Sequence, residues 1–466
     1  MKKIRNALSV TLIIIAFISC STKSYDKEMM ASEELFYNGQ YLEAARLLLP
    51  NVNKAGKDEF LFMMECGLML HTGGDFETSN KVLLKARKLA EIKPISITQQ
   101  AGSFLTNDTK TNYRGEDFEK VLVHMYLGIN FLMLKKYDDA RVEFLAVNNE
   151  LSKIRNEAGE AVYKQNIMAK YLTAIAFEIV GEQDNDLRDI EFAYIEYKQI
   201  NSLDSKLELV KNDLLRVSKR LGYDEDYNEW RKNFGKSYNE DPDKGELITI
   251  FQAGRNAIKK SRGSLLDDKA MGATLTVTIN SGLSAAQGVG IAAVLLTLKE
   301  AENPIPTFER RSNKVKRIQI EAGGKSISTV MLENVEATTI KNLEDSYKTL
   351  YTRVAVSIAT KALTSVLAGV AAKGVAQQFL GKGSAGLIGG LVGGGTAVAL
   401  FSQMKPDLRC WHTLPANFQI ARMTLNPGTQ KVNFTLVGNN GVVERIEKTV
   451  EIKKGEKTLI NLRTLY

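Results

Sequence analysis

The stretch Gly67-Leu68-Met69-Leu70-His71-Thr72-Gly73-Gly74-Asp75-Phe76-Glu77-Thr78-Ser79-Asn80-Lys81-Val82-Leu83-Leu84-Lys85-Ala86 decides how the first half of this chain folds. The apolar run carrying Gly67 reads as one helix and Gly74 as a turn. Phe76, Ser79, Leu83 and Ala86 then follow at helical spacing in a second helix. The same offsets stand upstream. Gly39, Tyr41, Ala44 and Leu48 repeat the turn, the aromatic, the small contact residue and the apolar residue, and Gly39 precedes Gly74 by 35 residues.

Two further units follow. Gly128, Tyr137, Ala140 and Phe144 make the third, and Ala174, Gly181, Ala193 and Tyr197 the fourth, with a polar insertion over 183–188. A period of about 34 residues with these offsets is that of tetratricopeptide repeats. Small residues at Gly67, Gly128, Ala44 and Ala140 let the two helices of a unit approach, while the aromatics fill space towards the next unit. One pair cannot bury its apolar face alone, so stacking must supply the core. The spacing predicts a helical stack over 32–222 whose inner groove suits a peptide or another protein's helix. An irregular helical bundle is the plainer alternative.

Ahead of the repeats, Lys2, Lys3 and Arg5 give a basic start, 7–18 an apolar core, and Ser19-Cys20 a cleavage region. This order predicts a lipoprotein export signal over 1–19, cut before Cys20 once its thiol carries a diacylglyceryl group, and then a tether over 20–31. The run is short for a membrane span and is set aside from the fold. Cys20 is the expected lipidation site. Ser21 is compatible with transfer to the outer membrane, facing the periplasm.

A chain of 466 residues exceeds what one core usually organises. Its formal charge is +8, which loss of Lys2, Lys3 and Arg5 with the signal lowers by three. Basic and acidic residues are interleaved, without a basic stripe, and nucleic acid is not an expected partner. Cys66, Cys410, His71, His124 and His412 match no metal spacing. A Cys66–Cys410 disulfide needs a geometry that sequence cannot supply. Neither a serine nucleophile motif nor a dinucleotide fingerprint appears, and Gly381-Lys382-Gly383-Ser384 has the wrong order for a phosphate loop. The expectation is a protein without enzymatic activity, cofactor or metal.

An insertion over 93–112, with Pro94, Gly102 and Asn107, predicts a loop between the second and third units. It leads into Tyr113-Arg114-Gly115-Glu116-Asp117-Phe118-Glu119. Loops on a rigid scaffold often bind, which makes Tyr113, Arg114, Glu116, Glu119 and, further on, Asn130 the candidate partner-binding residues. The plainer reading is that Glu116 or Asp117 caps the next helix.

Helical periodicity fades after Gly222, and 223–244 reads as a linker or a cap of the stack. Strands are predicted at 247–251, 273–279, 315–321 and 326–332, and again at 418–424, 431–437, 442–452 and 457–462. Asn440-Gly441 and Lys454-Gly455 mark turns. Between the strand groups, 335–379 is a helical run and 381–401 is almost wholly Gly, Ala, Leu and Val. Gly386, Gly389 and Gly393 would permit close helix contact at a cost in helix stability. An apolar hairpin at about 355–402 is therefore expected. It is buried against the sheet on one reading and inserted in lipid or an oligomeric pore on another, where Lys361 and Lys373 would be costly. Self-association into a homo-oligomer is the third reading.

Four islands carry a resemblance. Tyr113-Arg114-Gly115-Glu116-Asp117-Phe118-Glu119-Lys120-Val121-Leu122 with Ala140-Arg141-Val142-Glu143, Gly74-Asp75-Phe76-Glu77-Thr78-Ser79-Asn80, Gly245-Glu246-Leu247-Ile248, and Asp407-Leu408-Arg409-Cys410-Trp411-His412-Thr413-Leu414-Pro415 resemble a family of bacterial envelope lipoproteins with tetratricopeptide-like repeats and a C-terminal β-rich region. The resemblance implies an envelope location and that layout; no activity or catalytic residue comes with it. Members usually carry a small or polar residue where this chain has Cys410.

The combined expectation is an α+β chain. A tetratricopeptide-like α-solenoid precedes an antiparallel β-rich domain over 245–466 with the inserted hairpin. Its expected work is that of a lipid-anchored scaffold binding an envelope protein or peptide in its groove. A membrane-inserting or pore component is the runner-up, and an envelope enzyme of unidentified type the third.

Overall fold

In the computed structural model the structure describes residues 23–90, 112–154, 165–239, 241–282, 301–380, 401 and 404–466. The helical half is built from successive pairs: α1 (Lys23–Tyr37) with α2 (Tyr41–Val52), α3 (Glu59–Thr72) with α4 (Phe76–Leu89), α5 (Asp117–Met133) with α6 (Tyr137–Lys153), α7 (Ile167–Gln183) with α8 (Leu187–Leu203), and α9 (Glu208–Leu221) with α10 (Asp224–Phe234).

Every pair closes on the same turn. Gly39, Gly74, Lys135, Asn185 and Gly222 each hold a positive φ two residues before the second helix. The next residue's N–H then reaches back five positions: Gln40 to Leu35, Asp75 to Leu70, Lys136 to Phe131, Asp186 to Gly181 and Tyr223 to Ser218, at 2.8–3.0 Å. This left-handed cap satisfies carbonyls that a helix end leaves orphaned. Close packing follows the sequence pattern in the second and third units. A Cβ on Gly67 would lie 2.5 Å from Leu83 Cδ2, and one on Gly128 2.5 Å from Phe144 Cε1. Ala44 and Ala140 are wholly buried.

The turns correct the fourth unit. Seven residues before the left-handed position, where Gly67 and Gly128 stand, this unit has Glu178 rather than Ala174 or Gly181. Nor is 183–188 an insertion; it is the end of α7, the common turn and the start of α8. Past Gly222, Asp224–Phe234 is helical rather than irregular, and none of its residues is buried. It lies on the stack through Trp230, whose indole N–H donates to the Tyr194 hydroxyl at 2.8 Å and whose ring stacks on Phe234 at 5.2 Å.

The second half forms β1 (Gly245–Ala253), β2 (Ile258–Lys260), α11 (Lys269–Gly282), β3 (Thr307–Glu309), β4 (Val315–Ala322), β5 (Lys325–Ser328), β6 (Val330–Glu333), α12 (Val335–Leu380), β7 (Asn417–Leu425), β8 (Gly428–Gly438), β9 (Gly441–Ile452) and β10 (Lys457–Arg463). One sheet runs β10-β1-β7-β6, another β5-β4-β8-β9, and β2 pairs with β3. The strands are not all antiparallel: β10 runs parallel to β1, with Thr249 opposite Ile460. Asn440-Gly441 does close the β8–β9 hairpin, but the turn at Gly455 carries the chain from the second sheet to the first.

Two other strand expectations are corrected. Residues 273–279 lie within helix α11, where Thr274, Thr276 and Thr278 each return a hydroxyl hydrogen bond to the carbonyl four residues back. Met271 and Leu275, one helical turn apart, pack there with Val354, Ile358 and Ala362 of α12, so tertiary burial overrides the β propensity of threonine. The segment 326–332 breaks at Thr329 into β5 of one sheet and β6 of the other. Thr329 Oγ1 donates to Gln419 Oε1 at 2.5 Å across that corner.

The layers stack in a fixed order. Leu247, Phe251, Met423 and Leu425 of the first sheet face Ile318, Ile320, Phe434 and Leu436 of the second. On its other side the first sheet turns Ile248, Ile250, Phe418 and Ile420 into the core of the helical repeats. Because it is covered on both faces, β1 is buried along nearly its whole length. The expected hairpin begins inside α12, a single helix of 46 residues that starts well before 355. Residues 381–400, with Gly386, Gly389 and Gly393, lie outside the described residues, as do 1–22 with Cys20.

Candidate functional site

The groove predicted to receive a partner is filled by the chain itself. The first helices of the second, third and fourth pairs are buried almost all round. Residues 407–415, a strap without helix or strand that turns at 412–413, lie against the first helices of the first three pairs. Carboxylates on the concave face take its backbone: Glu119 Oε1 accepts from Trp411 N at 2.6 Å, and Glu65 Oε1 accepts from His412 N at 2.5 Å. Glu65 Oε2 accepts from Thr413 N at 3.3 Å and from its hydroxyl at 2.5 Å. The strap's carbonyls are met as well. Tyr37 Oη and Arg311 Nη2 donate to the His412 carbonyl at 3.0 and 2.7 Å, and Arg463 Nη2 to that of Thr413 at 3.0 Å.

Side chains anchor its ends. Arg409 pairs with Asp58 of the repeats at 2.6 Å and with Asp407 at 2.7 Å, its guanidinium 5.2 Å from the Tyr113 ring centre. Trp411 packs on Tyr126 at 5.6 Å, and His412 Nδ1 meets Glu33. Main-chain hydrogen bonds hold the strap and side-chain contacts fix its place, the division of labour of peptide recognition, here within one chain.

Of the candidate partner-binding residues, Tyr113, Glu116 and Glu119 serve this closure. Glu116 and Glu119 form a capping box at the start of α5. Glu119 Oε2 accepts from Glu116 N at 2.8 Å and from the Tyr113 hydroxyl at 2.6 Å, leaving Oε1 for the strap. Glu116 also pairs with Lys259 of β2. Tyr113 and Glu119 are buried and Arg114 alone of the set is exposed. Asn130 is buried too; its amide donates to Ser79 Oγ at 2.8 Å and Asn80 Oδ1 at 3.0 Å. Its oxygen stands 2.5 Å from His71 Nδ1. Tyr113, Glu116, Glu119 and Asn130 are therefore engaged inside the molecule, because the half-chain that follows competes successfully for the groove they line.

His71 joins the two halves. With Asn130 Oδ1 on one nitrogen, Nδ1 carries the proton and Nε2 accepts from the amides of Gln252 and Asn461 at 2.7 and 3.0 Å. Burial pushes its pKa down to about 4 and keeps the ring neutral. Burial likewise pushes the Glu65 carboxyl up to about 7, despite the donors around it.

A second junction was not legible from motifs. Glu178, at the position of Gly67 and Gly128, sits 1% exposed among cations. Arg422 of β7 reaches Glu178 at 2.9 Å, Asp213 at 3.1 Å and Glu246 at 2.5 Å. Arg216 of α9 reaches Glu178 at 2.7 Å, and Lys457 of β10 does so at 3.2 Å. Tyr197 donates to Glu178 and Tyr171 to Asp213. Burial works against the charge of Glu178, but Arg216, Arg422 and Lys457 outweigh it and hold the carboxyl well below its ordinary range. A charged residue where other units pack a small one was the available signal.

Among the described residues no group of histidine, cysteine and carboxylate side chains could hold a metal ion. Cys66 and Cys410 are both buried and free. No helix of the described residues is long and apolar enough to cross a membrane.

No family model matches the chain, and no curated protein does. Solved structures match a little under half of the chain. MamA from AMB-1 is 17% identical over 46% of this chain and 91% of its own, with a TM-score of 0.28. MamA from Desulfovibrio magneticus RS-1 is 16% identical over 45% and 90%, at 0.29. The TPR-like repeats of a Podosopora anserina kinesin light chain protein are 12% identical over 45% and 91%, at 0.30. At these scores the repeat assignment rests on the chain's own turns and packing, and that geometry makes the first half a tetratricopeptide-like stack.

Proposed function

We propose that this chain is a lipid-anchored scaffold of the cell envelope that meets its partner proteins on the outer faces of its repeats rather than in the groove. The observation that carries this reading is the seating of residues 407–415 on Glu65 and Glu119, which occupies the concave surface. The second helices, by contrast, turn apolar side chains outward: Val142 and Leu145 on α6, and Leu187, Phe192 and Ile195 on α8, are 42–60% exposed. Such residues in a surface are candidate protein contacts. The basic start, apolar core and Ser19-Cys20 support export and acylation, and an acyl tether would concentrate the scaffold at a membrane.

Two measurements in intact cells test this. A photo-crosslinking amino acid at Val142 or Phe192 is expected to capture a discrete envelope protein, while one at buried Met64 gives none. Mass spectrometry is expected to find acyl chains on Cys20, and Cys20→Ala to leave the membrane fraction. Absence of any capture from Val142 and Phe192 would overturn the outer-face reading, and an unacylated Cys20 would remove the tether.

A further inference from the structure

The second sheet ends on β9, a strand of 12 residues that pairs, among the described residues, with β8 alone. From Gly441 to Glu451 none of its residues is buried, and Val442 and Val443 are 54% and 39% exposed. A long open edge presents unpaired N–H and C=O groups, and stable proteins usually shorten, cover or interrupt such edges. The edges at β5 and β6 are four residues each. β9 has no proline, and the one irregularity in its pairing lies near its start, where the register shifts at Leu436 and Val437; its central charges, Glu444, Arg445, Glu447 and Lys448, repel an unmatched strand but not one that sets opposite signs across from them.

Its central sequence is self-complementary. Glu444-Arg445-Ile446-Glu447-Lys448 can meet a second copy of itself antiparallel, about a two-fold axis through Ile446. Arg445 then stands opposite Glu447 and Glu444 opposite Lys448, and the axis makes each pair twice. The faces agree. Arg445 and Glu447 pair with Thr435 and Asn433 of β8, and so share one face of the sheet; Glu444 and Lys448 pair with Leu436 and Val432, and so share the other. Sliding the axis one residue sets Glu447 against Glu447, or Arg445 against Arg445, and like charges directly opposite destabilise a ladder. Charge therefore selects one register. An interface of this kind is isologous and closes as a dimer, leaving the four-residue β5 strands as the outer edges of the joined sheet.

We propose that β9 is a contact between two copies of this chain, joined antiparallel through Ile446 into one continuous sheet.

Arg445 and Glu447 are the positions to exchange: Glu444 receives the Tyr466 hydroxyl of its own copy, whereas the pair that Glu447 makes with Lys431 of its own copy, at 3.5 Å, is exposed on both sides and contributes little. The full chain in detergent is studied by sedimentation equilibrium over a range of concentrations. The unaltered protein is expected to dimerise. R445E or E447R alone places like charges opposite each other at two points and should weaken the dimer about tenfold or more, given a few tenths to 1 kcal/mol per cross-strand pair. The double exchange R445E/E447R restores complementarity and should return the dissociation constant to within about threefold. A separate variant, R445C/E447C, should give a dimer band under oxidising, non-reducing conditions, which covers the case in which a charge exchange disturbs folding. A monomer at every concentration, a dimer indifferent to either single exchange, failure of the double exchange to rescue, or absence of the cross-linked band would each overturn the proposal.

Discussion

Arg422→Met asks whether the repeats and the sheets unfold as one body. The substitution keeps an apolar stem on β7 and deletes a guanidinium that lies within 2.5–3.1 Å of Glu178, Asp213 and Glu246. Arg216 and Lys457 remain on Glu178, while Asp213, 3% exposed, loses one cation and keeps Arg216 at 3.0 Å, and Glu246 loses one and keeps Lys457 at 3.8 Å. Removing one partner of a buried ion pair costs about 3–5 kcal/mol where it strands a charge, and the lower end, about 3 kcal/mol, applies here because Arg216 and Lys457 still offset part of the loss. The chain supplies its own reporters, having two tryptophans. Trp230 sits on the helical stack and Trp411 in the strap, so in a Trp230→Phe background the emission reports the strap while far-ultraviolet circular dichroism reports mainly the helices. Urea unfolding should give coincident midpoints by both signals, and Arg422→Met should lower both together by about 1 M, taking a slope of a few kcal/mol per M. Separated midpoints in the unaltered chain, or a shift confined to one signal, would refute the argument that the two halves form a single cooperative unit.

Three further outcomes follow from particular contacts. Gly128→Ala should destabilise by about 1–3 kcal/mol and more than Gly67→Ala, because the first meets the rigid ring of Phe144 and the second the branched end of Leu83; equal midpoints in chemical denaturation would contradict this. Glu119→Ala leaves Trp411 N–H, Glu116 N–H and the Tyr113 hydroxyl without their acceptor, at about 1–3 kcal/mol for each donor left buried. Hydrogen exchange at 410–414 should accelerate, and unchanged protection would show that the carboxylate does not hold the strap. His71, lowered from 6.5 to about 4 by burial, takes up its proton more readily in the unfolded chain, so folding stability falls as pH drops from 6.5 towards 4, by about 3 kcal/mol at 1.36 kcal/mol per pH unit. His71→Gln should flatten that slope, and an unaltered slope would assign the acid sensitivity elsewhere.

Local chemistry made much of this molecule readable in its sequence. Gly39 and Gly74 announce left-handed turns because glycine alone adopts that backbone without strain, and Gly67 and Gly128 announce close helix contact because a Cβ has no room there. Lys135 and Asn185 occupy the same backbone position without that signature, so the residue pattern sets the fourth unit out of register and its turn reads as an insertion. The strands at 418–424 and 431–437 show themselves by alternation. Residues 273–279 do not, since threonine's preference for strands yields where Met271 and Leu275 find a helix to pack on.

The repeat, its period and the β-rich character of the second half are legible in the residues alone, since all three are set by contacts between residues near in the chain. The tertiary structure alone decided that β10 lies parallel beside β1, that Glu178 gathers cations from three distant elements, and that residues 407–415 close the groove. Those outcomes depend on which buried donor finds which acceptor across hundreds of residues. A carboxylate such as Glu119 reads alike as a helix cap, a partner contact or an anchor for the chain's own backbone until the competing segment is in place.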